Sequence, residues 1–192
     1  MPTIDYAGLF RVTARDDAPG VGPFVDALTD AWLDSYRRET AGQRDIVQIA
    51  FEELTYLYDA TTSPGIDEPD NRVLAVWGRS RAPSGPRDSS RLRGHPSPQR
   101  DNAEAVDRGH LAAHAIGGGY DLNLIPQLAS LNRGRSAEGH VWRELERYCA
   151  THPGTFFFVR AIYSDITDHP SGLDYGVLLS DGELRVETFD NR

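Results

Sequence analysis

The chain has 192 residues, 39% of them hydrophobic and 26% charged, with a formal net charge of −9 and a single cysteine. This is the composition of a soluble globular protein, and no apolar run is long enough to span a bilayer. One cysteine, Cys149, excludes an internal disulfide and a cysteine-rich zinc site, and the acidic balance argues against general adhesion to nucleic acid.

The charge is unevenly spread. Residues 1–75 hold 14 acids against 6 arginines, residues 76–135 hold 5 against 9, and residues 136–192 hold 10 against 5. The middle of the chain is therefore a basic island that can engage phosphates, weakly and with strong salt dependence. The first residues, Met1 to Tyr6, lack a basic start followed by an apolar stretch, so the sequence predicts no secretory signal, a cytoplasmic protein and no membrane partner.

In chain order, Phe24, Val25, Leu28, Trp32 and Tyr36 recur at helical spacing and predict a helix over Pro23–Glu39. Ile46, Val47, Ala50, Phe51, Leu54, Leu57 and Tyr58 suggest a second helix over Gln43–Ala60, with Glu52 and Glu53 facing away. A turn-rich stretch from Thr61 to Asn71 ends it, and Arg72–Trp77 reads as a short buried strand. Residues 78–104 are rich in Gly, Ser, Pro and Arg without periodicity, as in a long loop that is either solvated or in contact with phosphate.

Beyond the middle region, Ser136–Thr151 predicts an amphipathic helix capped by Ser136, with Cys149 buried on its apolar face. Thr155–Tyr163 reads as a strand, and Tyr175–Ser180 with Glu183–Phe189 as a hairpin closed by Asp181-Gly182. The chain thus predicts an α+β protein. It divides into a helical segment, residues 1–70, packed as an extra layer on a core domain of residues 71–192. The net charge of that front segment suggests that it shades the basic middle.

The chemistry lies in Asp107-Arg108-Gly109-His110, Asn123 to Gln127, Leu131 to Gly134 and Trp142 to Glu146. Imidazole is the side chain whose ordinary pKa suits proton transfer near neutrality, which makes His110 a candidate base. In an extended strand Arg108 lies on the same face as His110 and can grip a phosphate with its fork. Gly109 between them leaves the backbone open to close approach. Each residue has an ordinary structural role when taken singly; their joint order and spacing carry the argument. A helix joining His110 to His114 would offer two imidazoles to zinc, but Gly117-Gly118-Gly119 argues against one.

That joint pattern resembles the DNA/RNA non-specific endonuclease family of the ββα-metal, or His-Me finger, nucleases. The resemblance covers Val106–Glu146 closely and does not extend to residues 1–70. It implies a ββα-metal core with an antiparallel sheet, here carrying an N-terminal helical extension. It further implies that His110 is the general base, Arg108 contacts phosphate, and Asn132 ligates one Mg²⁺ (or Mn²⁺). Glu146 orients waters on that ion and Asn123 supports the site. Between Gly134 and Trp142 the chain is longer than the family spacing. The family's second phosphate-binding arginine lies upstream, where Arg79 and Arg81 are both candidates. The implied partner is DNA or RNA, cut with little sequence preference. A toxin effector with a cognate immunity or inhibitor protein, or a defence nuclease, fits such chemistry. The alternative is a catalytically idle relative that binds nucleic acid or protein.

Overall fold

A computed structural model describes residues 4–13, 20–40, 43–61, 72–85, 105–119, 122–165 and 167–192. Two helices open the chain, α1 (Tyr6–Thr13) and α2 (Gly22–Glu39). Strands β1 (Ile46–Phe51), β2 (Leu54–Asp59) and β3 (Arg72–Arg79) follow. A ribbon of β4 (Val106–His110) and β5 (Leu124–Leu128) comes next, then the short α3 (Ala129–Asn132) and the long α4 (Ala137–Thr151). Strands β6 (Phe156–Ile162), β7 (Gly172–Leu178) and β8 (Leu184–Asp190) complete the chain. The α+β class predicted from the sequence holds.

Six strands form one antiparallel sheet in the order β1-β2-β3-β6-β7-β8, while β4 and β5 pair separately. Both faces of the large sheet are covered, which explains the unbroken burial along β3, β6 and β7. On one face α2 lays Phe24, Leu28, Trp32 and Tyr36, a stripe of four-residue spacing, against Phe156, Phe158, Trp77 and Tyr163. On the other, Trp142 of α4 packs edge-on against Tyr175 and Phe189. The hydroxyl of Tyr6 donates to Asp174 Oδ2 at 2.5 Å, and Arg160 joins Asp174 to Ser35, so a buried polar network ties α1 and α2 to the sheet.

Residues 43–60 are not a helix but the β1–β2 hairpin, paired from Ile46↔Asp59 to Phe51↔Leu54 and joined edgewise to β3. The apolar residues there do recur at helical intervals. They are, however, largely β-branched or aromatic, which favours the pleated conformation. Glu52-Glu53 make the two-residue turn, with Glu52 held at a φ of 56°. The 1–70 segment therefore contributes two strands as well as a helical layer. The hairpin between β7 and β8 also closes differently from expectation. Gly182 N–H donates to Leu179 O, and Gly182 takes a left-handed φ of 87°, so three residues, Ser180 to Gly182, make the turn. Ser136 caps α4 as expected, accepting from Gly139 N–H at 3.0 Å. No helix among the described residues is long and apolar enough to cross a membrane.

One side chain fastens the small ribbon to the large sheet. Asn191, fully buried just past β8, accepts from Leu128 N–H at 2.8 Å. Its amide donates to Pro126 O at 3.0 Å and Pro170 O at 2.8 Å. Asn191→Ala leaves these buried groups without a partner and should cost about 3 kcal/mol. Urea denaturation checks this, and a loss below about 0.5 kcal/mol would mean that the ribbon is held by other means.

Candidate active site

Strand β4 ends at His110, which is buried to 9% exposure, and the chain then turns back through residues 111–119. Asn123 shapes that turn. It accepts from Ala112 N–H at 2.8 Å and donates to Ala112 O at 2.6 Å and Gly119 O at 2.8 Å. Its carboxamide thus pairs with Ala112 as a strand residue does. A tight 3-10 turn at His114–Ile116 follows, in place of the helix that a two-histidine zinc motif requires.

Asp107 lies three residues before His110 and binds the end of α3. Its Oδ2 accepts from Asn132 Nδ2 at 2.9 Å and from Arg133 Nε at 2.7 Å, and its Oδ1 accepts from Arg133 Nη2. The Arg133 guanidinium first, and the Asn132 amide after it, hold the Asp107 carboxyl below the usual range. An ionised carboxylate only accepts, so the amide nitrogen of Asn132 must face it. The carbonyl oxygen of Asn132 is then the end left for the cleft.

Helix α4 reaches the same place through close packing. A Cβ at Gly139 would sit 2.5 Å from Ser130 O and 3.0 Å from Leu131 O, so only glycine lets α4 approach α3 this closely. The residues that lengthen the stretch before Trp142 form the first turns of α4. Two turns beyond Gly139, Glu146 accepts from Trp142 Nε1 at 3.1 Å and Arg143 Nη1 at 2.7 Å. Burial raises its pKa, and Arg143 and Trp142 offset part of that rise.

These elements enclose a cleft of about 410 Å³ lined by His110, Ala113, His114, Ala115, Asn132, Arg133, Arg143 and Glu146. Three of the residues singled out in the sequence, His110, Asn132 and Glu146, therefore converge on it. The others do not line it. Arg108 is half-buried opposite Pro126 in the ribbon, and Asn123 acts through the turn it braces. Arg79 donates to Gly154 O at 2.8 Å, away from the cleft. Arg81 pairs with Glu52, and its N–H donates to Ile116 O at 3.2 Å, behind the turn that carries His114. Gly109 serves packing rather than substrate approach, since a Cβ there would run into the Gln127 side chain. His114, Arg133 and Arg143 were not assigned to the site from the sequence. Arg143 had a signal, since it lies three residues before Glu146 on the face that Glu146 occupies. Of the arginines between 86 and 104, all lie outside the described residues.

The two carboxylates give opposite pH signatures. Asp107 is lowered in the fold, so its contribution is present above the unfolded value near 3.9 and is lost as pH falls through the folded pKa. The stability gap between the wild type and Asp107→Asn should be level above about pH 5 and shrink below it. Glu146 is raised, so stability linked to it is lost as pH rises through its folded pKa, and Glu146→Gln should lose least at neutral pH. Thermal melts of both variants from pH 3 to 8 check this, and parallel curves would overturn it.

No protein-family model matches the chain, and no characterised protein matches it by sequence. Among solved structures, it is similar to Sda1 nuclease with bound zinc ion, at TM-score 0.39 and 20% identity, over 45% of this chain and 38% of that one. It is also similar to an extracellular endonuclease, at TM-score 0.39 and 17% identity, over 80% of this chain and 92% of that one.

Proposed function

We propose that this chain is a metal-dependent endonuclease that hydrolyses phosphodiester bonds of DNA or RNA with little sequence preference. The observation that carries the proposal is the arrival of His110, Asn132 and Glu146, from β4, α3 and α4, in one cleft rimmed by Arg133 and Arg143. In this reading His110 takes the proton of the attacking water. Arg133 and Arg143 use their uncommitted N–H groups on the phosphate, since Asp107 and Glu146 occupy only part of each fork. Arg108 and, once released from Glu52, Arg81 contact flanking phosphates from outside the cleft lining.

The donor set fits a hard, hydrated cation. Asn132 offers an amide oxygen and Glu146 a carboxylate, which suits Mg²⁺ or Mn²⁺, ions that keep most of their water. Among the described residues no three His, Cys, Asp or Glu side chains gather to hold a metal by themselves. When bound, the ion supplies positive charge to the phosphate and the departing oxygen. Asn123 is a positioning residue in this scheme, acting through Ala112 and the turn that carries His114. A toxin effector or a defence nuclease is a role in which such unspecific cutting is useful.

Supercoiled plasmid and single-stranded RNA, incubated with Mg²⁺ or with EDTA, test the proposal. Cutting should require the divalent ion. His110→Ala should lower the rate by about 10³-fold, within the range for a lost general base. Asn132→Ala and Glu146→Gln should each lower it about 10- to 100-fold, with a higher Mg²⁺ requirement. No cutting of either substrate with any divalent ion would leave a binding protein in place of an enzyme.

A further inference from the structure

The two edges of the large sheet are built differently. At one, β8 carries Arg185, Glu187 and Asp190, and Arg185 is tied to Glu144 at 2.9 Å, so charge guards the edge against another strand. At the other, β1 reads Ile46-Val-Gln-Ile-Ala-Phe51, with no charge and no proline, and among the described residues it pairs only with β2. Phe51 is 51% exposed there. The Ala60 N–H bond to Asp45 O fixes which residues face inward. By the antiparallel alternation, Ile46, Gln48 and Ala50 turn their N–H and C=O groups outward.

We infer that the outer edge of β1 docks an extended segment of a partner protein, apolar in its middle and basic at its ends. Charge complementarity names the occupant. Asp45 precedes the strand and Glu53 follows it, both exposed, beside Glu52, whose charge is shared with Arg81. A second copy of the chain is a poor fit. Antiparallel self-pairing brings Asp45 of one copy to Glu52 and Glu53 of the other. A partner with arginine or lysine beyond each end of its strand gains at both places, and main-chain bonds supply the rest.

The edge is also joined to the cleft. Phe51 lies within van der Waals reach of the position a Cβ would take on Gly119, and Glu52 pairs with Arg81, whose N–H holds Ile116 O. A strand seated on β1 therefore lies beside the turn that carries His114.

Two labelled peptides of about nine residues test the docking on the full chain. Both alternate valine and threonine; one ends in arginine pairs, the other in glutamate pairs. Fluorescence anisotropy at low salt should show the arginine peptide binding saturably and about tenfold tighter than its twin. Gln48→Pro removes an outward N–H at an edge position where proline is tolerated, and should abolish binding without loss of the folded circular-dichroism spectrum. Ala50→Lys, which places a guarding charge on the edge, is the second variant should proline unfold the chain, and should weaken binding at least tenfold. Equal binding of the two peptides, or binding that survives both substitutions, overturns the inference. So does sedimentation that shows a wild-type dimer dissolved by Ala50→Lys, because the edge then serves a second copy.

Discussion

The geometry of the cleft depends first on the carboxylate of Asp107. It can only accept hydrogen bonds, and it receives them from Asn132 and Arg133, neighbours at the end of α3. Both side chains must turn their nitrogens toward β4, which settles the orientation of the Asn132 amide and fixes α3 against the ribbon. The last carbonyls of α3 then determine where α4 begins. Arg135 N–H and Ser136 N–H both donate to Ser130 O, and Gly139 packs beneath the same atom. Once that crossing is set, the helix repeat carries Glu146 two turns farther, into the cleft. One ion pair and one close approach thus bring a carboxamide and a carboxylate from different helices into one cleft with His110.

The sheet separates this machinery from the acidic front of the chain. Successive residues of β7 serve opposite layers, Asp174 binding Tyr6 on the α1–α2 side and Tyr175 packing on Trp142 on the α4 side. The acids of α2 therefore lie across two layer spacings from the cleft, on the order of 20 Å, well beyond the screening length of about 8 Å at physiological salt. Shading of the cleft by α2 is not what this arrangement provides. The acid that does reach an arginine near the cleft is Glu52, through the β1–β2 turn.

Where the sequence was legible, one physical signal dominated. The stripe on α2 is amphipathic at one period only, and Ser136 before α4 is a cap with a ready acceptor, so both helices could be placed closely. Residues 43–60 carried two signals in conflict, a helical recurrence of apolar positions and a strand-forming choice of side chains. The side chains prevailed because β3 offered an edge to pair with, a fact no local window contains. His110, Asn132 and Glu146 were legible as a set through their resemblance to a known motif. Arg133 and Arg143 were harder to assign, since an arginine beside a turn or on a helix surface is ordinary until the fold shows what it faces. The longer stretch before Trp142 falls largely within α4. Added residues that enter a helix lengthen the chain without moving its later turns away from α3.

Glu146 shows what the site costs the fold. Burial disfavours its charged form, and the hydrogen bonds from Trp142 and Arg143 only partly compensate, so its pKa stays raised. A leucine there would escape that penalty but would leave the buried Trp142 Nε1–H, which donates to Glu146, without an acceptor. Under the proposed function, a carboxylate is kept at this position for the cation that it and Asn132 would hold in the cleft. Arg143 is the compensating charge, yet it is half exposed and can turn toward a phosphate. When it does, Glu146 loses a partner and gains reason to seek a cation. Under the proposed function, the pair would therefore couple phosphate binding on the rim to metal affinity inside, with no moving element beyond one side chain.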